Sequence, residues 1–473
     1  MINYWYQVVS SIEEFCRYKS SVDKNYFYYK NIDFTYAFQK SIYFEIYGSQ
    51  KITKILVNHE KLNNIYLKSY THRDILSSID LFKNVNFKFK LNLKYLIKKI
   101  TSSNILITNV FLHVINKPVN ASKADYLFIS THHKFIRYLL PIYEKLDNST
   151  FLICNDIKES VKICEENNYS YVVMYQNANI SMKTNIDIYL LTILYETILS
   201  YIKKIKPKSI IIPEGNAPIY EVLNLVAQNR KDIKTICIQH AWATGFVDTG
   251  WRNMHFDLYI CWGDVFKKAL QPFNKSQKFI SIGSHILELN YESSEKDSIS
   301  FFSQSSSSGI ISPKKLNEFL DFALYVATKY KKTNIIIREH PSAPLGDDLK
   351  IKFQDCKNVE FMNPDKFLLS DVLSRSKITI SILSSTLFES LLYDAIPIYF
   401  NNIEMPRLDI DLVEMNMALE IKSINEEKDK IKAILEGNND VLENIKKNKY
   451  KFFLSYGTKA RNKIVQIIKS ESI

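Results

Sequence analysis

Thr333-Asn334-Ile335-Ile336-Ile337-Arg338-Glu339-His340-Pro341 opens the stretch that decides the fold, and Ile396-Pro397-Ile398-Tyr399-Phe400 closes it. Between them lies Ile378-Thr379-Ile380-Ser381-Ile382-Leu383-Ser384-Ser385-Thr386-Leu387-Phe388-Glu389. The first is an unbroken apolar run, the pattern of a strand buried on both faces of a parallel sheet, and the second is a β-branched strand. The first breaks into charge, a histidine and a proline. The second passes through a hydroxyl cluster into a helix, whose start is predicted from the Thr386 and Glu389 capping-box spacing. Open α/β sheets present ligand-binding groups beyond the carboxyl ends of their strands, where N–H groups at a helix start favour anions. His340, Ser384, Ser385 and Thr386 stand at such ends, and together they predict a phosphate site. Taken singly, a hydroxyl cluster before a helix is a cap and a His-Pro pair is a loop start.

Composition sets the bounds. The chain has 473 residues, 46% of them hydrophobic, enough for two globular domains and an appendage. A net charge of +12 favours anionic partners. Lysine is spread throughout with no compact basic motif, so no nucleic-acid partner is expected. Cys16, Cys154, Cys164, Cys237, Cys261 and Cys356 show no metal or redox spacing and read as reduced thiols of a cytoplasmic protein. No signal peptide is indicated, and the apolar stretches are too short or too interrupted to span a bilayer. Peripheral attachment to the inner membrane stays open, since residues 1–120 mix aromatics with lysine; core packing of an accessory region, mostly of short helices, explains the same mixture.

From Ala124 the chain alternates strand and helix. Strands are predicted at 125–130, 151–154, 171–174, 209–212, 235–239, 257–261 and 280–284, with a long helix over 186–205. This gives an α/β fold of two Rossmann-like domains: 124–288 first, a polar linker at 289–298, then 299–420, with C-terminal helices over 421–473 packing back across both. Five of ten glycines and three of four tryptophans fall between Pro213 and Ser284, which implies backbone positions with special needs. There strand 209–212 ends in Pro213-Glu214-Gly215 and strand 235–239 ends in His240-Ala241-Trp242. A carboxylate and an imidazole at one sheet edge offer a general base, either Glu214 or His240. The bland alternatives are an acid at a helix start and a hydrogen-bonded rim histidine. His132 and His133, after strand 125–130, and Trp242 and Arg252 are assigned to the acceptor side. Strand 299–304 ends in Gln304 and Ser305 of a serine-rich loop, a further donor-side candidate. Asp409-Ile410-Asp411 is the one tempting acidic pair and reads as a helix cap, so no metal ligand is named.

His-Pro in a second Rossmann-like domain, Ser-Ser at a helix start some 45 residues on, and then an Ile-Pro strand resemble the GT-B glycosyltransferases. Within them the resemblance is to the branch of bacterial sialyltransferases and polysialyltransferases, capsular Kdo transferases and CDP-glycerol glycerophosphotransferases. It covers roughly residues 124–420. It implies that His340, Ser384 and Ser385 hold the phosphate of a cytidine nucleotide donor. Glu214 would match the sialyltransferase acid, with Pro213 in place of that motif's second acid. His240 would match the glycerophosphotransferase histidine, with Ala241 in place of glycine. The expected activity is metal-independent transfer from a nucleotide sugar, needing no cofactor, to an oligosaccharide or lipid-linked acceptor of capsule or lipopolysaccharide assembly. Polyol phosphate transfer from a CDP-alcohol, a silent scaffold and a sugar-nucleotide epimerase are the alternatives.

Overall fold

The computed structural model describes residues 13, 16–48, 121–174, 188–230, 232–242, 250–289, 296–304, 311–341, 343–403, 410–426, 430–437 and 440–471. In the accessory region, the short strands β1 (Tyr28–Tyr29) and β2 (Ile32–Asp33) pair antiparallel and lead into the Thr35–Gly48 helix. That helix lies on the Ile188–Ile205 and Pro218–Arg230 helices, with Phe34 meeting Tyr195 edge-on at 5.7 Å. Of the aromatics behind the expectation of a membrane-docking surface, Phe27, Tyr29, Phe34 and Phe38 are buried in the core and Tyr28 and Tyr36 are exposed, while Phe87, Phe89 and Tyr95 lie outside the described residues. Among the described residues, no helix is long and apolar enough to cross a membrane.

The first domain is built on seven parallel strands: β3 (Tyr126–Ser130), β4 (Ser149–Ile153), β5 (Tyr171–Val173), β6 (Ser209–Ile212), β7 (Lys234–Ile238), β8 (Leu258–Cys261) and β9 (Phe279–Ser281). Their order across the sheet is β5-β4-β3-β6-β7-β8-β9, so the direction of winding reverses between β3 and β6. The second domain holds β10 (Ser298–Phe302), β11 (Asn334–Arg338), β12 (Val359–Met362), β13 (Ser376–Ser381), β14 (Ile396–Phe400) and β15 (Leu419–Ile421). These are also parallel, ordered β12-β11-β10-β13-β14-β15, and reverse between β10 and β13. Ile335, Ile336 and Ile337 of β11 are fully buried, as are Ile210, Ile211 and Ile212 of β6, which is why these strands show no alternation.

All seven strands expected in the first domain are present, six within two residues at each end and the last, expected at 280–284, ending three residues early at Ser281. In the second, β12 and β15 escaped sequence analysis, because β12 is half-exposed and charged at Glu360 and β15 is three residues long at a sheet edge. A smaller correction concerns the helix after β13. Ser385, with helical angles (φ −59°, ψ −24°), is its N-cap and makes no side-chain cap bond, so the Thr386–Glu389 capping box does not form. The Ser384 hydroxyl takes the Thr386 N–H instead, at 3.2 Å, in a tight turn that starts the helix one residue early.

The glycine cluster has a physical cause. Gly283 sits at φ +135°, and a Cβ there would come within 1.7 Å of the Ser455 carbonyl oxygen. A Cβ on Gly263 would lie 2.3 Å from the Phe452 carbonyl oxygen. The returning C-terminal segment therefore runs directly against the end of the first sheet. Ser284 N–H donates to Ser455 O at 3.1 Å and Gly457 N–H to Ser284 O at 2.9 Å. Beyond this crossing, the Gly457–Glu471 helix buries Ile464, Val465 and Ile468 in the core of the first domain, beside the His133–Tyr143 helix. The preceding Asp440–Asn448 helix packs on β14, so the C-terminal segment touches both domains.

Gly283→Ala is predicted to cost on the order of 2–4 kcal/mol of stability, since the backbone is left-handed and the space is filled. Urea unfolding followed by circular dichroism checks this; an unchanged midpoint would contradict the crossing.

Candidate active site

The reversal of winding between β3 and β6, and again between β10 and β13, opens a crevice at the carboxyl ends of both sheets. His132 follows β3, Glu214 follows β6, and His240 follows β7. His340 follows β11, and Ser384 follows β13. Sequence analysis placed each of these at a strand end; in the fold His340 of the second domain lies near enough to His132 and Lys134 of the first to feel their charge, so the two sets of strand ends form two walls.

On the first wall, His240 Nδ1 lies 3.4 Å from Glu214 Oε1, and each side chain is about one-fifth exposed (20% and 19%). Nδ1 makes no hydrogen bond at this separation, so a slight approach by either group would form one. Phe135 and Tyr138 pack edge-on against the imidazole, with centroids at 5.0 and 4.7 Å. Burial lowers the His240 pKa and outweighs the opposing pull of Glu214, which leaves the ring neutral at pH 7. Burial would raise the Glu214 pKa, but His240, Lys134 and His132 outweigh it and hold the carboxyl below its ordinary value. The pair is thus a carboxylate beside a neutral imidazole. Its backbone is held from below. Lys40, buried in the accessory region, donates to Gly215 O at 3.1 Å and to Glu221 Oε2 at 2.8 Å, so its charge is both paired and hydrogen-bonded. Gly215 (φ +147°) lies where a Cβ would meet Phe256 at 3.0 Å and Cys237 at 3.1 Å.

On the second wall, Ser384 Oγ and Thr386 Oγ1 are 2.5 Å apart. Gln304 Nε2 approaches Ser381 Oγ at 3.5 Å, a weak contact, and Ser305 lies outside the described residues. Burial lowers the His340 pKa to about 4, and the charges of Lys134 and His132 across the crevice add to this. His340 is therefore a neutral donor of one N–H before any anion arrives. Deeper in, Glu389 is almost fully buried; burial pushes its carboxyl up to about 7, against the opposing pull of Arg338.

Sequence analysis missed Lys134. Its charge acts on Glu214, His240 and His340, which places it in the middle of the crevice. The signal was present: a lysine in the first turn of a helix opposes the helix dipole, and the His133–Tyr143 helix has no acid there to compensate. Arg137 of the same helix pairs with Asp365 of the second domain at 2.7 Å, so this helix faces the second wall.

Trp242 and Arg252 are expected on the acceptor side. Trp242 is buried, stacked on Trp251 (6.0 Å between centroids) and packed on Phe266. Arg252 pairs with Glu13 at 3.2 Å and lies over the Phe273 ring. Both side chains are thus engaged in packing contacts of the first domain and the accessory region. His132 and His133 do border the crevice, and the fold adds Asp156 to them. Of the acidic pair near residue 410, Asp409 lies outside the described residues, and Asp411 accepts N–H groups from Val413 and Glu414 as a turn cap.

Glu214→Gln removes the charge that favours protonated His240, so the His240 pKa is predicted to fall further. Imidazole proton NMR across pH 4–8 checks this, and a rise in the His240 midpoint would contradict the pairing.

No protein-family model matches this chain, and no curated protein does. Solved structures do share its fold. One is the UDP-GlcNAc 2-epimerase from Neisseria meningitidis bound to UDP-GlcNAc, 13% identical, with a TM-score of 0.51 over 73% of this chain and 99% of that one. Another is the wall teichoic acid polymerase TagF with CDPG, 11% identical, with a TM-score of 0.50 over 81% of this chain and 98% of that one. At such identities the likeness is one of architecture: the chain has the two Rossmann-like domains of the GT-B fold.

Proposed function

We propose that the protein is a glycosyltransferase that moves a sugar from a nucleotide donor, with cytidine as the favoured base, to a surface-polysaccharide acceptor. The observation that carries this reading is the placement of the Glu214–His240 pair on the first wall, opposite His340, Ser384 and Thr386 on the second. The donor phosphate would sit against the second wall, held by the His340 N–H and the two hydroxyls. An acceptor hydroxyl on the first wall would attack the anomeric carbon. His240 Nε2 takes its proton, while the Glu214 carboxylate at Nδ1 orients the ring and stabilises the imidazolium. The bond from the anomeric carbon to the phosphate oxygen breaks, and the charge left on the phosphate meets His340, Ser384, Thr386 and Lys134. This step uses no metal ion. The net charge of +12 suits an acidic oligosaccharide or a lipid-linked acceptor at an anionic leaflet.

A second reading is polyol phosphate transfer from a CDP-alcohol. It is supported by the fold shared with the polymerase that binds CDPG, and by a histidine standing as the base beside its carboxylate. The same His240–Glu214 pair would then take the proton of a hydroxyl that attacks the phosphorus bearing the polyol, while the bond from that phosphorus to the bridging oxygen breaks and CMP leaves.

Purified protein incubated with CMP-sugars, UDP-sugars and CDP-alcohols, each with and without glycan acceptors, separates these readings by ³¹P NMR of the released nucleotide. Acceptor-dependent CMP release from a CMP-sugar is the expected result. His240→Ala and Glu214→Gln should lower kcat by roughly 10²-fold or more with little change in donor KM. Full activity in both variants would refute the acceptor placement, and isomerised donor without transfer would make the chain an epimerase.

A further inference from the structure

Beside the base pair lies a group of side chains that the transfer step does not use. His132 precedes and His133 opens the helix after β3, and Asp156 follows β4, the adjacent strand. One ligand atom from each lies within 4.8 Å of the other two. Asp156 Oδ2 accepts the backbone N–H of His133 at 3.0 Å and touches the same residue's Nδ1, while His132 Nδ1 lies 3.6 Å from that oxygen. The two imidazoles face each other with centroids 4.3 Å apart.

The backbone shows what holds Asp156 there. It stands at the N-cap of the Ile157–Glu166 helix, where an aspartate side chain ordinarily caps, yet its carboxylate makes no cap bond. Its φ and ψ are 50° and 47°, left-handed angles that disfavour most side chains. Both the cap and the relaxed backbone are given up, and the carboxylate is turned towards the histidines.

We propose that His132, His133 and Asp156 form a three-ligand site for a divalent ion of borderline softness, Zn²⁺ or a close neighbour, with its remaining position open to the crevice. Two imidazole nitrogens and one carboxylate oxygen suit such an ion, whereas Mg²⁺ and Ca²⁺ call for oxygen shells. Three protein ligands leave a place for water or an anionic group of a substrate. Bonds of about 2.0–2.1 Å in a tetrahedron bring ligand atoms to roughly 3.3 Å from one another. The side chains are between 19% and 31% exposed, which leaves them room to rotate inward from their present spacing. Lys134 opposes a cation here, so the affinity expected is micromolar rather than that of a closed structural site. The transfer chemistry proposed above does not pass through this ion, and either proposal can fail without the other.

The test is titration calorimetry of the full chain, stripped with a chelator, against Zn²⁺ alone, and optical absorption with Co²⁺ alone. One equivalent of Zn²⁺ should bind with a micromolar Kd, and Co²⁺ should give a d–d band of four-coordinate intensity. His133→Ala and Asp156→Asn should each weaken Zn²⁺ binding at least about tenfold, and His255→Ala, at a histidine stacked on Tyr36 and outside the cluster, should bind as wild type does. Asn tolerates left-handed angles, so Asp156→Asn keeps the test valid if His133→Ala does not fold. Absence of stoichiometric binding, or wild-type affinity in either ligand variant, overturns the site.

Discussion

The Ser455 carbonyl occupies the space that a side chain on Gly283 would fill, and the placement of the two sheets depends on this contact. A chain that folded into two parallel-sheet domains joined by one linker would leave their facing ends free to drift. Here the C-terminal segment returns from the second domain, crosses the end of the first sheet at Gly263 and Gly283, and seats its last helix in the first core. Backbone against backbone leaves no slack for a side chain to take up. The last helix buries Ile464, Val465 and Ile468 with the inner face of the His133–Tyr143 helix. The same helix carries Lys134 to the crevice and Arg137 to Asp365. Crossing, helix and crevice are thus one mechanical unit.

Within that frame the site is made by topology. Both sheets reverse their winding direction once; His132, Glu214 and Ser384 follow strands at the reversals, and His240 and His340 follow strands one place further out. Electrostatics then divides the labour. Burial keeps His240 and His340 neutral, while Lys134 and the imidazoles around Glu214 keep that carboxylate charged. A neutral imidazole beside a carboxylate is a competent base, and a neutral histidine across the crevice is a donor that gains most when an anion arrives.

Much of the fold was legible in the sequence because β6, β7, β11 and β13 are largely buried, so runs rich in β-branched and apolar residues that end in polar ones mark the strands and their ends. The places of Glu214, His240, His340 and Ser384 just beyond strand ends were read in this way. β12 and β15 were not, since a half-exposed or three-residue edge strand carries no such run. The packing of Trp242 on Trp251 and the pairing of Arg252 with Glu13 were not legible, since both contacts depend on tertiary structure. Asp156 could not be joined to His132 and His133 without knowing that β4 lies beside β3. Lys134 was readable in principle from its unfavourable place at a helix start.

The central claim is that the second wall holds a nucleotide phosphate through His340. Calorimetric titration of the wild type and His340→Ala with CMP, CDP, UDP, GDP and ADP, at pH 7 and pH 5.5, tests it directly. Binding should favour a cytidine nucleotide and weaken at least about tenfold in the variant. It should also tighten at the lower pH in the wild type alone, because an anion at His340 raises a pKa that stands near 4 in the free protein and so couples binding to proton uptake. Equal affinity of wild type and variant at both pH values, or no binding of any nucleotide, would contradict the account.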